Sequence, residues 1–403
     1  MPIEIVACRV AEELLPALAP VFHYFGRTPV PQDGSRFLPF IEPSRAFAAR
    51  ENGLTVGGCG SFALEVTVPG GTVRAAGLSV VGVMPTHRRR GILRGMMRAQ
   101  LDDTHRRGEP VAMLWASEDT IYGQFGYGMA SLSGDIDVSK PSTAFARRFE
   151  PRGEFRILGE AEALEPLAAA YERARLDHPG MLARSAEWWQ NRRLADPENR
   201  RQGAGELNRV LLTLDGRPSG HALYRIHQQF DSGVTAGHVN VIEAVGATPE
   251  ATRELWRFLF DIDWVARVKA SLLPVDHPLG FLMARPREMN FRLHDGLWVR
   301  LVDLPAALAA RRLGSEPVVF EVADEFCPWN AGTWRVGPAG VERATGGADL
   351  ACDVTALGSV YLGGFTFRRL AAAGRVTELR EGAIARADAL FPAESAPWCP
   401  EVF

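Results

Sequence analysis

The sequence predicts a protein of several domains that combine α-helices with β-sheets, and three observations support this class. The chain has 403 residues, which exceeds the roughly 250–300 residues at which one hydrophobic core stops growing. Hydrophobic residues make up 46% and charged residues 23%, as in ordinary folded domains. Strand-like runs alternate with helical runs as far as residue 290, and short strands and hairpins follow from residue 296. The expected class is therefore mixed α/β and α+β.

The first domain is predicted over residues 1–140. Its expected elements follow from apolar spacing and turn residues. In order they are a strand at 3–10, a helix at 11–25, a hairpin of strands 54–69 and 72–84, a helix from about Arg88, a strand at 111–116, a helix at 117–124 and a strand at 127–138. Together they indicate a mixed β-sheet flanked by helices.

The second domain, residues 141–295, is predicted to repeat this outline. The segment Val245–Glu250 can be laid over Val83–Arg88, which puts a second strand, turn and helix in the same order. Chance similarity of two such units is the alternative, because a short alignment is weak evidence for a repeat. The third domain, residues 296–403, has the pattern of a separate α+β fold.

The most informative segment is the junction LSVVGVMPTHRRRGILRGMM, where a strand is followed by a turn and a helix start. A helix N-terminus exposes unbonded N–H groups and a partial positive charge, which together bind phosphate groups. Gly91 allows close approach to the backbone, and the arginines beside it add charged hydrogen bonds. A solvated basic helix start is the alternative explanation for the same residues.

This junction resembles motif A of the GNAT acetyltransferases, R-x-x-G-x-G/A, with Leu93 in place of the last small residue. The resemblance implies that the main chain of the strand binds the pantetheine arm of acetyl-coenzyme A and that the helix start binds its diphosphate. The strand residues would be Val81, Gly82 and Val83. The diphosphate residues would be Arg88, Arg89, Arg90, Gly91, Ile92, Leu93 and Arg94.

A wider resemblance is to the Eis (enhanced intracellular survival) family of N-acetyltransferases. The segments that carry it are PTHRRRGILR, ASEDTIYGQFGYGMAS, DGLWVRLVDLPAALAARR, LGSVYLGG and the final Phe403. It implies a GNAT domain, a degenerate second GNAT-like domain and a C-terminal domain like sterol carrier proteins, assembled as a homohexamer. In the second copy Glu250 falls over Arg88 and Arg253 over Gly91, so that copy is not expected to bind the coenzyme.

The family resemblance also implies a reaction, in which acetyl passes directly from acetyl-coenzyme A to an amine. It assigns the general acid to Tyr122, the general base to the terminal carboxylate of Phe403, and coenzyme contacts to Ser117 and Glu118. The acceptor would be a small-molecule amine, such as an aminoglycoside, or a lysine. Val402 at the penultimate position, with Glu401 before it, favours a less cationic amine.

Composition and residue spacing bear on nucleic-acid binding, membrane insertion, metal binding and cellular location. The net charge of −3 gives no overall drive towards nucleic acid, and no run of about 18 apolar residues suggests a membrane span. Five scattered cysteines and nine histidines lack metal-binding spacing, so no metal is expected, and a reducing cytoplasm fits best. A non-catalytic protein that senses acyl-coenzyme A, or that carries an apolar ligand, is the alternative function.

Overall fold

The computed structural model describes residues 2–30 and 39–403, which form two compact units. The first unit takes its described residues from Met1–Ser131, Gly296–Pro397 and Val402–Phe403, and the second from Leu132–Asp295 and Trp398–Glu401. Both units contain mixed β-sheets flanked by helices, which confirms the predicted class. The domain limits at residues 140 and 295 stay predictions.

The first unit is built on a seven-stranded sheet. In spatial order its strands are β1 (Glu4–Ala7), β2 (Ala46–Glu51), β3 (Leu54–Val68), β4 (Gly71–Val83), β5 (Val111–Trp115), β16 (Leu297–Leu301) and β6 (Gly128–Met129). Neighbouring strands are antiparallel except β4 and β5, which are parallel. The long β3–β4 hairpin closes at Pro69-Gly70, as the turn residues predict.

The helices α1 (Ala11–Tyr24) and α2 (Ile92–Arg106) pack against this sheet. The apolar residues of α2 repeat every three or four positions, so Ile92, Met96, Met97 and Leu101 share one face. All four are buried in a core that also contains residues of β2, β3, β4 and β5. This packing fixes the direction of α2 and therefore the place where it begins.

The second unit contains a sheet of the same design. In spatial order its strands are β8 (Glu154–Leu158), β9 (Asn208–Leu214), β10 (Arg217–His227), β13 (His238–Gly246), β14 (Arg267–Leu273), β7 (Leu132–Ser139) and β15 (Arg292–Asp295). Again one central pair, β13 and β14, is parallel and the other pairs are antiparallel. The two sheets therefore confirm the internal repeat at the level of topology.

The sixth strand of each sheet comes from an unexpected part of the sequence. β7 directly follows β6 of the first sheet but lies in the second sheet, whereas β16 directly follows β15 of the second sheet but lies in the first sheet. The sequence predicted one strand over 127–138, and the structure divides this stretch into β6 and β7 in different sheets.

The helices of the second unit cover its sheet. They are α3 (Glu160–Arg175), α4 (Ala186–Trp188), α5 (Pro249–Asp261) and α6 (Leu279–Leu282), and a π-helical turn, Trp189–Leu194, continues α4. Leu255, Trp256 and Leu259 of α5 are fully buried against the strands. A short hairpin, β11 (Phe230–Asp231) and β12 (Val234–Thr235), is separate from the sheet.

The C-terminal part of the first unit forms a five-stranded sheet with four helices. The strands, in spatial order, are β19 (Gly340–Arg343), β18 (Gly332–Gly337), β17 (Val318–Ala323), β20 (Leu350–Asp353) and β21 (Val376–Glu378). The helices are α7 (Leu304–Ala309), α8 (Val354–Tyr361), α9 (Phe367–Ala372) and α10 (Ala383–Leu390). The predicted α+β pattern from residue 296 onwards is confirmed, apart from β16.

Helices are short throughout the described ranges. The longest, α3, has 16 residues. Among residues 2–30 and 39–403, no helix is both long and apolar enough to cross a membrane.

Candidate active site

The parallel strands β4 and β5 separate part of the way along their length. They pair from Ala75 and Val111 to Gly77 and Met113, but β4 continues for six more residues to Val83. Past this point the backbone groups on the β5 side of β4 face a gap rather than a neighbouring ladder. β4 and β5 are therefore splayed around Val81–Val83, the residues predicted to bind the pantetheine arm.

A β-bulge lies at the same point of β4. Ser79 pairs with Gly60 and Gly82 pairs with Gly58, so two residues of β4 oppose one residue of β3. Val80 inside the bulge has φ +50°, a left-handed conformation that is rare for a β-branched residue. Strained backbone of this kind persists only where the surrounding fold holds it in place, and it often occurs at functional sites.

Close packing against α1 requires a glycine at position 82. A Cβ atom built at this position would lie 2.6 Å from the backbone nitrogen of Val21 in α1. Only glycine therefore lets α1 approach β4 this closely. The tight packing brings the C-terminal end of α1 beside the splayed part of β4.

The turn after β4 leads to an uncapped helix start. Arg89 has φ +60° and Gly91 has φ +77°, and Gly91 is the N-cap residue of α2. A glycine cannot cap a helix with a side chain, so the N–H groups of the first turn remain available to an anion. A Cβ atom at Gly91 would meet nothing within 4 Å, so the space beside these N–H groups is open. The N-terminus predicted near Arg88 lies at Ile92 instead, because Pro85–His87 forms a separate 3-10 turn.

The four arginines around this turn differ in their partners. Arg88, Arg89 and Arg94 are exposed, and none forms an ion pair with a carboxylate in the described part of the chain. Arg90 differs, because its Nη1 lies 3.2 Å from Oε2 of Glu51 and its Nη2 lies 2.5 Å from Oε1. Hydrogen bonds from Arg90 and His87 lower the pKa of Glu51 to about 2. The ion pair between Arg90 and Glu51 therefore links the turn to β2.

The splay, the turn and the helix start enclose a cavity of about 670 Å³. Its lining is Val21, Tyr24, Phe25, Val81, Gly82, Val83, His87, Arg88, Arg89, Gly91, Ile92, Leu93, Arg94, Ser117, Glu118, Ile121, Tyr122, Gln124 and Phe125. The structure thus brings together every residue predicted for coenzyme binding except Arg90, and it adds the predicted acid Tyr122. Arg90 and Phe403 do not line this cavity.

Tyr122 lies at the inner wall of the cavity. The helix predicted at 117–124 is wrong, because residues 117–121 form bends and turns and only Tyr122–Phe125 forms a 3-10 helix. This short helix leaves Tyr122 only 7% exposed. Burial raises the pKa of Tyr122 to about 12, with further increases from Cys59 and Glu118, while a hydrogen bond with Ser117 opposes the shift. The phenol is therefore protonated at neutral pH and can donate a proton.

Phe403 lies beside the bulge of β4. Its main-chain oxygen accepts a hydrogen bond from Oγ of Ser79 at 3.1 Å. Its ring is buried and packs edge-on against Phe62, with 6.4 Å between centroids. Gly77 leaves room for this ring, since a Cβ atom there would lie 3.1 Å from it. The predicted base is thus ordered next to the splayed strand.

Several cavity residues were not included in the predicted site. Tyr24 and Phe25 end α1 and remain 50% and 69% exposed, and the hydroxyl of Tyr24 donates to the carbonyl oxygen of Val83 at 2.5 Å. The signal in the sequence was the run His23-Tyr24-Phe25, since three adjacent aromatic rings cannot all face a helical core. The resulting wall of the cavity is largely apolar.

The second unit also has a strand followed by a helix at this point, but its turn is shorter and its helix start is capped. α5 begins at Pro249, only two residues after β13 ends, so the predicted alignment of Glu250 over Arg88 and of Arg253 over Gly91 is wrong in register. The longer turn with its arginines has no counterpart here. Moreover, Oγ1 of Thr248 caps α5 by accepting a hydrogen bond from the N–H of Ala251 at 3.1 Å. An anion has no comparable site at this helix start.

The gap between β13 and β14 is filled by the segment Trp398–Glu401. The indole N–H of Trp398 donates to the carbonyl oxygen of Leu272 in β14 at 2.6 Å. Glu401 accepts from Nε of Arg184 at 2.6 Å, and Arg184 also binds Glu243 of β13 through two hydrogen bonds. These carboxylates and Arg184 are almost completely buried. In the second unit, residues Trp398–Glu401 therefore lie where the first unit has its cavity.

Metal ligands do not assemble in the described ranges. No group of three or more His, Cys, Asp or Glu side chains there could hold a metal ion. The prediction that no metal takes part stays a prediction.

Family models match three consecutive parts of the chain. Residues 11–130 and 180–301 each match an acetyltransferase (GNAT) domain, and residues 304–400 match a sterol carrier protein domain. The tandem arrangement therefore accounts for both seven-stranded sheets and for the smaller C-terminal sheet.

Relatives that match most of the chain are also N-acetyltransferases. An uncharacterized N-acetyltransferase of Streptomyces coelicolor is 44% identical over 360 residues, which cover 86% of each chain. The N-acetyltransferase Eis of Mycobacterium tuberculosis is 35% identical over 345 residues, covering 82% of this chain and 81% of that protein. The crystal structure of Eis1 from Mycobacterium abscessus superimposes with a TM-score of 0.86 at 35% identity, covering 99% of this chain and 100% of the other.

Proposed function

Because the chain belongs to the Eis family of GNAT N-acetyltransferases, we propose that it transfers acetyl from acetyl-coenzyme A directly to a primary amine. A single cavity joins the uncapped start of α2, three arginines without carboxylate partners among the described residues, and the buried phenol of Tyr122. An anionic thioester donor fits this combination of a phosphate site and a proton donor.

The proposed position of the donor follows from the charges. The N–H groups at the start of α2, together with Arg88, Arg89 and Arg94, would bind the diphosphate. The main chain of Val81–Val83 would bind the amide groups of the pantetheine arm, since extended backbone offers alternating donors and acceptors. Ser117 and Glu118 also line the cavity and would contact the same arm. This arrangement directs the thioester towards Tyr122.

The proposed reaction needs two proton movements. The amine nitrogen attacks the thioester carbon, the C–S bond breaks, and the leaving thiolate takes the proton of the Tyr122 phenol. The amine must lose a proton to become the amide, and the carboxylate of Phe403 would accept it. The hydrogen bond from Ser79 orients this carboxylate group. No acyl-enzyme intermediate is required.

We propose an acceptor that carries one amine next to an apolar group. Val21, Tyr24 and Phe25 give the cavity an apolar wall, and Glu118 is its single carboxylate among the described lining residues. Glu401 cannot attract a polycation, because Arg184 and Trp188 already occupy its two carboxylate oxygens. An arylalkyl monoamine therefore suits this cavity better than an aminoglycoside does.

An amine panel tests this function. Release of free coenzyme A is measured with arylalkyl monoamines, a lysine peptide, polyamines and aminoglycosides at equal concentration. We expect the monoamines to give the largest kcat/KM. Tight binding of acetyl-coenzyme A without turnover of any amine would support the alternative of a non-catalytic acyl-coenzyme A sensor.

We also propose that the protein assembles as a homohexamer, as its family resemblance implies. Large apolar side chains on the second unit are exposed, including Trp264 at 72% and Phe281 at 93%, and burial in an interface would remove them from water. Light scattering should give about 265 kDa for six chains of 44.1 kDa. A mass of about 44 kDa would contradict the proposal.

A cytoplasmic location is proposed from the thiol chemistry. All five cysteines are buried and none forms a disulfide, as expected for a chain kept under reducing conditions. Fractionation of the source cells, with detection of the native protein by antibody, should place it with cytoplasmic markers. Recovery outside the cytoplasm would contradict this location.

A further inference from the structure

One residue of the C-terminal domain reaches the wall of the proposed coenzyme site. Phe326 lies on the loop that follows β17 and is 4% exposed. It belongs to the same buried core as Met96 and Met97 of α2 and as Phe125 beside Tyr122. All these residues lie in the first unit.

The ring of Phe326 contacts two cations of α2. The guanidinium carbon of Arg98 lies 4.1 Å from the ring centroid, and that of Arg94 lies 5.1 Å from it. Both distances are within the range of a cation–π interaction. Arg98 is also paired with Asp102 at 3.3 Å, whereas Arg94 lines the cavity and has no carboxylate partner among the described residues. Stacking on Phe326 is therefore the specific contact that orients Arg94.

The same ring supports the element that carries Tyr122. Phe326 packs edge-on against Phe125, with 5.2 Å between centroids and 69° between planes. Phe125 is the last residue of the 3-10 helix that begins at Tyr122. A single side chain thus touches both the cationic wall of the cavity and the segment that holds the predicted acid.

A buried ion pair holds the loop of Phe326 in place. Arg300 of β16 binds both carboxylate oxygens of Asp324, at 2.8 and 2.7 Å, and both residues are at most 5% exposed. The same carboxylate accepts from the N–H of Cys327 at 2.9 Å and from Nδ2 of Asn330 at 3.0 Å. One nitrogen of Arg300, Nη2, makes both contacts, and with the bonds from Cys327 and Asn330 it anchors the loop, so the ring of Phe326 has a defined position.

We propose that Phe326 is a positioning residue for coenzyme A, and that it acts by holding the guanidinium of Arg94 towards the diphosphate. This inference rests on the proposed function. A free arginine side chain loses considerable rotamer entropy when it binds a ligand. Stacking on a fixed ring removes part of that loss before the ligand arrives, which strengthens binding. The C-terminal domain thereby contributes to the affinity of the GNAT domain for its donor.

The test is calorimetry of coenzyme A binding to the full-length protein. Phe326→Leu should weaken binding roughly three- to thirty-fold, the range expected for loss of one cation–π contact. The KM for acetyl-coenzyme A should rise by a similar factor, while kcat at saturation changes less than twofold. Phe326→Tyr keeps the aromatic face and should restore the affinity to within threefold of the wild type.

A double-mutant cycle separates positioning from general damage. If Phe326 acts through Arg94, Phe326→Leu should weaken binding in the wild type but not in an Arg94→Gln background. The matched control is Phe391→Leu, because Phe391 is also a buried ring under an arginine, with Arg311 4.6 Å from its centroid, in the same domain. This control should leave coenzyme affinity unchanged.

The outcomes separate the positioning role of Phe326 from the proposed function. Equal weakening by Phe391→Leu, or full additivity with Arg94→Gln, would overturn the positioning role. An affinity of Phe326→Leu within twofold of the wild type would do the same. If Phe326→Leu does not fold, Phe326→Met replaces it in the cycle, since it keeps volume without an aromatic face. Failure of the wild type itself to bind coenzyme A would instead refute the proposed function.

Discussion

Tyr122 is the residue on which the proposed chemistry depends most. Its phenol is buried in the cavity wall, and its raised pKa of about 12 keeps the proton that a leaving thiolate needs. Tyr122→Phe should lower kcat by roughly 10²- to 10⁴-fold, the usual contribution of general acid catalysis, with little change in the affinity for coenzyme A. Steady-state kinetics and calorimetry measure the two effects separately.

Tyr127 provides the matched control for this substitution. It is a second buried tyrosine, 6.1 Å from Tyr122 between ring centroids, and its hydroxyl has no hydrogen-bond partner among the described residues. Tyr127→Phe should therefore leave kcat unchanged and should not reduce stability, since an unpaired buried hydroxyl carries a desolvation cost. An equal loss of activity in both variants would remove the acid role from Tyr122.

The pH dependence of kcat gives an independent test of the same residue. A general acid works only while protonated, so its contribution is lost as pH rises through its pKa. Burial raises the pKa of Tyr122 to about 12, and its contribution should therefore remain constant between pH 7 and pH 10. A decrease in kcat with an apparent pKa near 9, absent from Tyr122→Phe, would contradict this environment.

At the scale of elements, the start of α2 is the critical feature. Gly91→Glu would place a carboxylate at the uncapped N–H groups and should raise the Kd for coenzyme A by at least 100-fold. Backbone strain must be separated from charge, because Gly91 has φ +77°. Gly91→Ala adds strain without charge and should bind far better than Gly91→Glu. Calorimetry measures both affinities.

Gly216 supplies the second control for this prediction. It lies in the β9–β10 turn, has φ +74°, and a Cβ atom there would meet nothing within 4 Å. Gly216→Ala therefore introduces the same backbone strain away from the cavity and should leave coenzyme affinity unchanged. Wild-type affinity in Gly91→Glu would show that the coenzyme does not use the start of α2.

Elements were predictable where periodicity and turn residues agree. The β3–β4 hairpin and the apolar face of α2 follow from Pro69-Gly70 and from spacing of three and four residues. The segment 117–124 was mistaken for a helix because Ser117 resembles an N-cap, whereas tertiary contacts of Tyr122 and Phe125 determine its shape. The register of the repeat was wrong because two turns of different length can join similar strands and helices.

For the whole molecule, the strand exchange could not be read from the sequence. Alternating apolar residues show that β7 and β16 are strands, but they do not show which sheet each joins. Most residues predicted to bind the coenzyme line one cavity, because one local motif carries most of them, and their roles stay predictions. Arg90 differs from its neighbours only through Glu51, which is 39 residues away, and such long-range pairing leaves no local signal.

The end of the chain gives a prediction at this scale. Phe403 is ordered by Ser79 and Phe62, and its carboxylate is the proposed base. Adding five residues after Phe403 converts this carboxylate into a peptide group and should lower kcat at least 100-fold, with the melting temperature and coenzyme affinity preserved. The same five residues added before Met1 are the control. Full activity of the C-terminally extended protein would exclude the carboxylate from catalysis.

Coenzyme A is proposed to occupy the cavity between the splayed strands and the start of α2. A crystal structure of the protein with coenzyme A tests it most directly. We predict the diphosphate within hydrogen-bond distance of the first-turn N–H groups of α2 and of Arg89, with the thiol directed at Tyr122. A coenzyme bound at any other place on either unit would contradict this binding mode.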